Sequence, residues 1–324
     1  PIARVSAKIA VGMDLHEIRL ANTLASFEPT LDYVVTKMPR FPFDKFPAAM
    51  NTLSTQMKAT GEVMSVGRSF EESLLKAIRS LEEGKNHIHL EKFDAAHMSV
   101  DRLEYIREGT DDRIYAISQL MGMGVDPSLI CNRTQIDMFF LDKIKKIVDF
   151  ERELERAPHD PATLREAKRM GFSDSYIAEL WNTTEDEVYG WRVRENIFPV
   201  YKMIDTCASE FDSYVPYFYS TYAEENESVV TDRRKVIILG SGPIRIGQGV
   251  EFDYSTVHAV HTIREMGYEA IVINNNPETV STDYTTADKL YFEPLTAEDV
   301  MNIVHLEHPD GVIATLGGQT AINL

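Results

Sequence analysis

Between Lys235 and Asp283 the chain carries a pattern that few architectures accommodate. Val236-Ile237-Ile238-Leu239 is a short β-branched apolar run, the signature of a strand buried on both faces of a parallel sheet. Gly240, Gly242, Gly247 and Gly249 follow, broken by Pro243 and by one cation, Arg245. A helix is predicted from Glu251 to Met266, with Phe252, Val257, Val260 and Ile263 along one face and Gly267 as its stop. A second strand is expected from Glu269 to Asn276, ahead of Pro277. Strand, glycine loop, helix and strand in that order imply parallel pairing through a right-handed crossover.

Glycines at such a strand end let backbone N–H groups approach an anion at the mouth of a helix. A dinucleotide site is the first alternative, and two features speak against it. The sixth position of the G-x-G-x-x-G spacing is Arg245, and Asn274, Asn275 and Asn276 stand where an acid binding the ribose is expected. No Gly-Lys-Ser/Thr follows, so the loop is not a Walker loop.

The segments GSGPIRIGQGVEFDY, NNNPETVSTDY, LYFEPLT and TLGGQTAINL closely resemble the opening of the second synthetase half in the large subunit of carbamoyl phosphate synthetase. In that family this region is the domain that precedes an ATP-grasp fold. The resemblance extends over essentially all 324 residues.

Other properties fit a soluble multidomain chain. Its length suits two or three domains. With 33 Lys+Arg against 51 Asp+Glu the net charge is −18, which disfavours nonspecific binding of nucleic acid or anionic membrane. Cys131 and Cys207 are too few for a disulfide framework and suit a reducing cytosol. No apolar run approaches a membrane span, and no signal peptide is visible. Both ends read as cut, so an excised segment of a longer chain is expected.

The first block, residues 1–81, is similar to the tail of the first ATP-grasp domain, through PIA-V-AK-AVG, SFEP-LDYVVTK-PRF and GEVM-VGR-FEE. A helix ending at Gly12, strands from Tyr33 to Lys37 and from Glu62 to Val66, and a helix after Ser69 are predicted. Ser69 and Glu72 have capping-box spacing. The connection between Leu15 and Ser26 looks shorter than in bacterial relatives. Lys8, Lys37 and Arg68 read as surface or scaffold cations. Glu62 lies in an otherwise apolar strand, and the resemblance places it on the passage that conducts carbamate between the halves; the alternative is an exposed strand-edge glutamate.

Residues 82–228 are predicted to be helical and resemble the family's oligomerisation domain, through DRI-YAI, NRT-ID-FFL-KI, AKR-GFSD and PVYK-IDTCASEF. Ile136, Phe139, Phe140, Ile144, Ile147 and Val148 form an apolar stripe. SDSYIAELWNTTEDEVYGWR has a helix-turn-helix outline, but Glu185, Asp186 and Glu187 argue against DNA reading. Cys207 reads as a buried structural thiol, and the aromatic run from Tyr214 to Tyr222 as a strap packed against both neighbours.

In residues 229–324 a helix is predicted from about Ala297 to Glu307. A strand from Val312 to Leu316 then delivers Gly317, Gly318, Gln319 and Thr320 to another helix start. Gly240, Gly242 and Gly247 with Gly317, Gly318 and Gln319 would form the loops of a ligand crevice. Arg245 offers a bidentate cation there, with Glu251 and Glu278 as acids beside it. The resemblance puts Glu62, Arg245, Gly249, Glu251 and Glu278 along the carbamate passage; for Glu251 helix capping is the alternative.

The fold class expected is thus mixed: a partial ATP-grasp α+β piece, a helical oligomerisation domain, and a truncated Rossmann-like parallel-sheet pre-ATP-grasp domain. The resemblance implies a cytoplasmic ligase of arginine and pyrimidine synthesis. It makes carbamoyl phosphate from bicarbonate, glutamine-derived ammonia and two ATP, through carboxyphosphate and carbamate. ATP with Mg²⁺ or Mn²⁺ belongs to the complete enzyme, with a glutaminase subunit or domain and a second copy of the chain as partners. The metal ligands lie upstream of Pro1, so no catalytic or metal-binding residue and no bound cofactor are expected in this segment. The alternatives are a non-catalytic assembly scaffold or, less in keeping with the residues, a dinucleotide-dependent enzyme.

Overall fold

The computed structural model describes residues 2–20, 23–28, 30–94, 101–206, 215–247 and 250–324. Gly249, Cys207 and Tyr214 lie outside them. Helix α1 (Ile2–Ala10) precedes an antiparallel hairpin, β1 (Val34–Arg40) and β2 (Gly61–Gly67), in which Val34 pairs Gly67 and Arg40 pairs Gly61. Helix α2 (Phe70–Ser80) packs on the hairpin. Ser69 Oγ accepts the Glu72 N–H at 3.2 Å, as the spacing predicts. The Glu72 carboxylate, however, takes the Arg68 N–H at 2.7 Å and the Thr221 hydroxyl at 3.2 Å, so only half of the capping box forms.

Among the described residues seven α-helices follow: α3 (Arg102–Tyr105), α4 (Arg113–Gly122), α5 (Pro127–Thr134), α6 (Met138–Arg156), α7 (Pro161–Arg169), α8 (Asp174–Leu180) and α9 (Glu185–Arg194). Aspartates at 101, 126, 137 and 160, with Ser173 and Thr184, accept first-turn N–H groups and set where six of them start. One apolar core runs through them, and Leu74, Leu75 and Ile78 of α2 belong to it. On α6 the stripe is buried at Ile144, Ile147 and Val148. Its first turn is not: Phe139 and Phe140 are 54% and 44% exposed, edge-on to Phe70. The helix-turn-helix outline forms as α8 and α9, turning through Asn182 in the left-handed region.

The remaining elements build a six-stranded sheet. These are β3 (Val200–Met203), β4 (Tyr217–Thr221), β5 (Lys235–Leu239), α10 (Val250–Glu265), β6 (Glu269–Asn274), β7 (Lys289–Phe292), α11 (Ala297–Glu307), β8 (Gly311–Ile313) and α12 (Gly318–Ile322). The strand order is β3-β4-β7-β6-β5-β8, parallel throughout except for β3 at one edge. The aromatic run read as a strap is therefore the sheet strand β4, with Tyr219 packed into one face and Phe218 into the other. Val66 of the hairpin joins the Tyr219 face, so hairpin and α2 stand between helical core and sheet. Among the described residues no helix is long and apolar enough to cross a membrane.

Candidate functional site

Strands β5 and β8 are neighbours, with glycines beyond both at the carboxyl edge of the sheet. Gly240 follows β5 directly, whereas β8 stops at Ile313, not at Leu316 as its apolar run predicts, and Gly317 comes after three further residues. The spacing is tight enough to require them. A Cβ added at Gly317 would stand 2.2 Å from the Gly240 carbonyl oxygen, and one at Gly240 would stand 2.4 Å from Asn274 Cγ. Asn274, where an acid would mark a ribose site, ties the edge together. Its Oδ1 accepts the N–H groups of Gly242 (3.0 Å) and Asn275 (2.9 Å), and its Nδ2 donates to Ser281 Oγ at 3.4 Å. A carboxylate could not make that donation. Gly247 and Gly318 take left-handed backbone at φ +85° and +74°, and the exposed Gln319 donates to Asn323 Oδ1 at 2.8 Å within α12.

Arg245 enters this edge through a closed ring of three side chains. Its Nη2 donates to Thr320 Oγ1 at 2.7 Å and lies 3.0 Å from Glu82 Oε2, while Thr320 Oγ1 donates to the same Oε2 at 2.6 Å. Burial pushes the Glu82 carboxyl up to about 7, against the opposing pull of Thr320, Arg245 and Arg40. Beside the ring is a cavity of about 400 Å³, walled by Arg245, Ile246, Glu82, Arg40 and the loop after β1. Arg40 is buried and held by Asp44 and Glu83, each at 2.9 Å.

A second charged group forms where the hairpin meets the loop after β6. Lys37 Nζ lies 2.7 Å from Glu62 Oε1 and 3.0 Å from Glu278 Oε1. Glu62 is only 25% exposed, so it is not the exposed edge glutamate of the alternative reading. Hydrogen bonding to Lys37 holds Glu278 below the usual carboxylate range. Lys37, half-exposed as its reading as a surface or scaffold cation expects, bridges the two acids. A cavity of about 620 Å³ adjoins Glu278 and is lined by Ser241, Ile244, Asp253, Tyr254 and Tyr217. The one loop after β5 thus walls both cavities, Ile244 on this side and Arg245 and Ile246 on the other.

Glu251 lies exposed in the first turn of α10, and Asp253, two residues on, turns inward. Asp253 accepts the N–H groups of Val280 (3.0 Å) and Ser281 (3.2 Å) and the Thr279 hydroxyl, fixing the loop that carries Glu278. Motif reading misses Glu82 and Asp253, and it places Thr320 in the glycine loop without its contacts to Arg245 and Glu82. Among the described residues no three His, Cys, Asp or Glu side chains converge as metal ligands.

Residues 62–196 match the family model described as carbamoyl-phosphate synthetase large chain, oligomerisation domain. Residues 232–324 match that of the carbamoyl phosphate synthase preATP-grasp domain. The chain belongs to the carbamoyl phosphate synthetase large-chain family. Glu62 and Glu82 fall in the oligomerisation-domain match, and Arg245, Glu278 and Thr320 in the preATP-grasp match. Each charged group therefore joins the two matched regions, with Lys37 contributed from upstream of both.

A third junction locks the same two regions away from the cavities. Lys168 Nζ, on α7, contacts Asp174 at 2.9 Å and Glu298 at 2.5 Å, and Arg192 grips Asp174 through Nε (2.7 Å) and Nη2 (2.6 Å). All four side chains are buried, and Glu298 belongs to α11 of the sheet region. Burial raises the Glu298 carboxyl, but Lys168 and Arg192 outweigh it and hold the group well below its ordinary range.

Proposed function

We propose that this segment is a structural and conducting part of the synthetase, walling the passage through which carbamate reaches the second active site and carrying a self-assembly surface. The division at 1–81, 82–228 and 229–324 follows from the same reading, with the first part ending an ATP-grasp domain. The exceptions are that β3 and β4 join the sheet of the third part and that the oligomerisation-domain match already begins at residue 62. The complete enzyme would join bicarbonate and glutamine-derived ammonia at the expense of two ATP, with Mg²⁺ or Mn²⁺ and a glutaminase partner.

The observation that carries the reading is that one glycine loop walls two cavities, each bordered by charges already paired within the protein. Carbamate is short-lived in water, so its route has to exclude bulk solvent. Conduction also needs contacts favourable enough to admit an anion and weak enough to release it. The Arg245–Glu82 pair gives a polar wall with little net field, and Lys37 set against Glu62 and Glu278 leaves one net negative charge, which favours release of an anion. Glu251 would extend the same wall in the first turn of α10.

Ile246→Trp tests the reading in the complete synthetase by filling the 400 Å³ cavity. Carbamoyl phosphate formation is expected to fall while bicarbonate-dependent ATP turnover persists. Unchanged synthesis in a correctly folded variant would argue instead for the scaffold reading, in which the segment only assembles the enzyme.

A further inference from the structure

No motif singles out Glu82, yet three positions of the chain are shaped around it. Its own backbone sits at φ +55°, a left-handed conformation that disfavours any residue with a Cβ. Gly242 lies so close that a Cβ there would stand 2.1 Å from Glu82 Oε1. Thr320 places its hydroxyl between Glu82 and Arg245, bonded to both. Packing alone would favour an apolar side chain in a site this enclosed, because a buried carboxyl loses its hydration.

We infer that Glu82 is the positioning residue for Arg245, holding its guanidinium against the cavity wall and tying that orientation to the end of α2. The inference rests on the reading of Arg245 as a passage residue. Glu82 lies two residues beyond α2, which packs into the helical core, so the orientation of Arg245 is set by the oligomerisation region and not by the glycine loop alone. The groups facing Glu82 are Arg245, Thr320 and, at longer range, Arg40; Glu83 and Lys85 line the same cavity. Arg40 is engaged by Asp44 and Glu83, which leaves Arg245 as the close cation. With its carboxyl pushed up to about 7 by burial, Glu82 changes charge near neutrality, and the hold on Arg245 tightens as it ionises.

The test follows the Arg245 Nε–Hε resonance against pH in the arginine-labelled 324-residue chain. In the unsubstituted chain the signal is expected to move with a midpoint near 7, and in Glu82→Gln that movement is lost. Thr320→Val keeps the charges but removes a hydrogen bond that favours the ionised carboxylate, so the midpoint is expected to rise. It serves as the second variant should Glu82→Gln fail to fold. A signal that does not titrate, that titrates unchanged in Glu82→Gln, or whose midpoint stays or falls in Thr320→Val overturns the inference. The passage reading is separated by assay of the complete enzyme. If Arg245 tracks Glu82 but Arg245→Met loses no carbamate, the clamp stands and the passage falls. If Arg245→Met leaks while its signal ignores Glu82, the reverse holds.

Discussion

Gly61 and Ile244 touch backbone to backbone: a Cβ added at Gly61 would stand 2.4 Å from the Ile244 carbonyl oxygen and 2.7 Å from its nitrogen. The hairpin thereby meets the loop that separates the two cavities. Met64 N–H, donating to the Asn275 carbonyl at 2.8 Å, fixes the same junction further along β2. This edge is thus built between elements from distant parts of the chain.

Gly61→Ala is therefore expected to destabilise the chain by roughly 1–3 kcal/mol, since backbone cannot yield as a flexible side chain can. Gly190, inside α9 with open space within 4 Å of where a methyl group would stand, is the control. Gly190→Ala should stabilise by about 0.5–1 kcal/mol through helix propensity. Denaturant unfolding of the two variants checks both, and equal effects would contradict the tight junction.

Lys168→Met leaves Asp174 and Glu298 buried with Arg192 as their close remaining cation. Breaking such a pair by removing one partner costs about 3–5 kcal/mol. Urea unfolding should show a loss of that size; a change under about 1 kcal/mol would mean that the junction tolerates water.

Glu82 supplies a pH dependence of definite sign. Its folded-state carboxyl lies near 7, above the ordinary value of 4.5, so the native state holds the proton more tightly than the unfolded chain. That contribution is complete below about 4.5 and disappears as pH rises through about 7. Relative to Glu82→Gln, which cannot titrate, the unsubstituted chain should lose on the order of 3 kcal/mol across that window. A stability difference independent of pH from 4.5 to 8 would contradict the raised value.

Phe139 and Phe140 begin α6 half-exposed, in a region whose family model is an oligomerisation domain. Replacing both with serine removes apolar area from water-facing positions that a second copy would cover. Light scattering over a wide concentration range should show the unsubstituted chain associating and the double variant remaining monomeric. Identical masses would place the self-contact elsewhere.

What the sequence makes legible is local. The unit from β5 to β6 and the bounds of α11 follow from apolar periodicity, caps and stop residues, because each is decided within a few turns of chain. The charged groups are not local. Glu82 and Thr320 are 238 residues apart and Lys37 and Glu278 are 241, so nothing in the spacing of either pair signals contact. Lys37 is half-exposed, as a surface cation is expected to be, but its two carboxylate partners come from another strand and another region and no spacing announces them. The aromatic run that becomes β4 misleads for a related reason: its partner β7 lies some seventy residues on, and residues buried on both faces of a strand show no alternation. Phe139 and Phe140 extend the helical stripe correctly, but where a stripe stops being buried depends on the neighbour it meets.

The most direct test of the passage is the number of ADP formed per carbamoyl phosphate in the complete synthetase carrying Lys37→Met or Arg245→Met. The account predicts a ratio rising above the two ATP of the coupled reaction, as carbamate escapes to water while the first half continues to turn over. A ratio unchanged in both variants, with their fold intact, would contradict it.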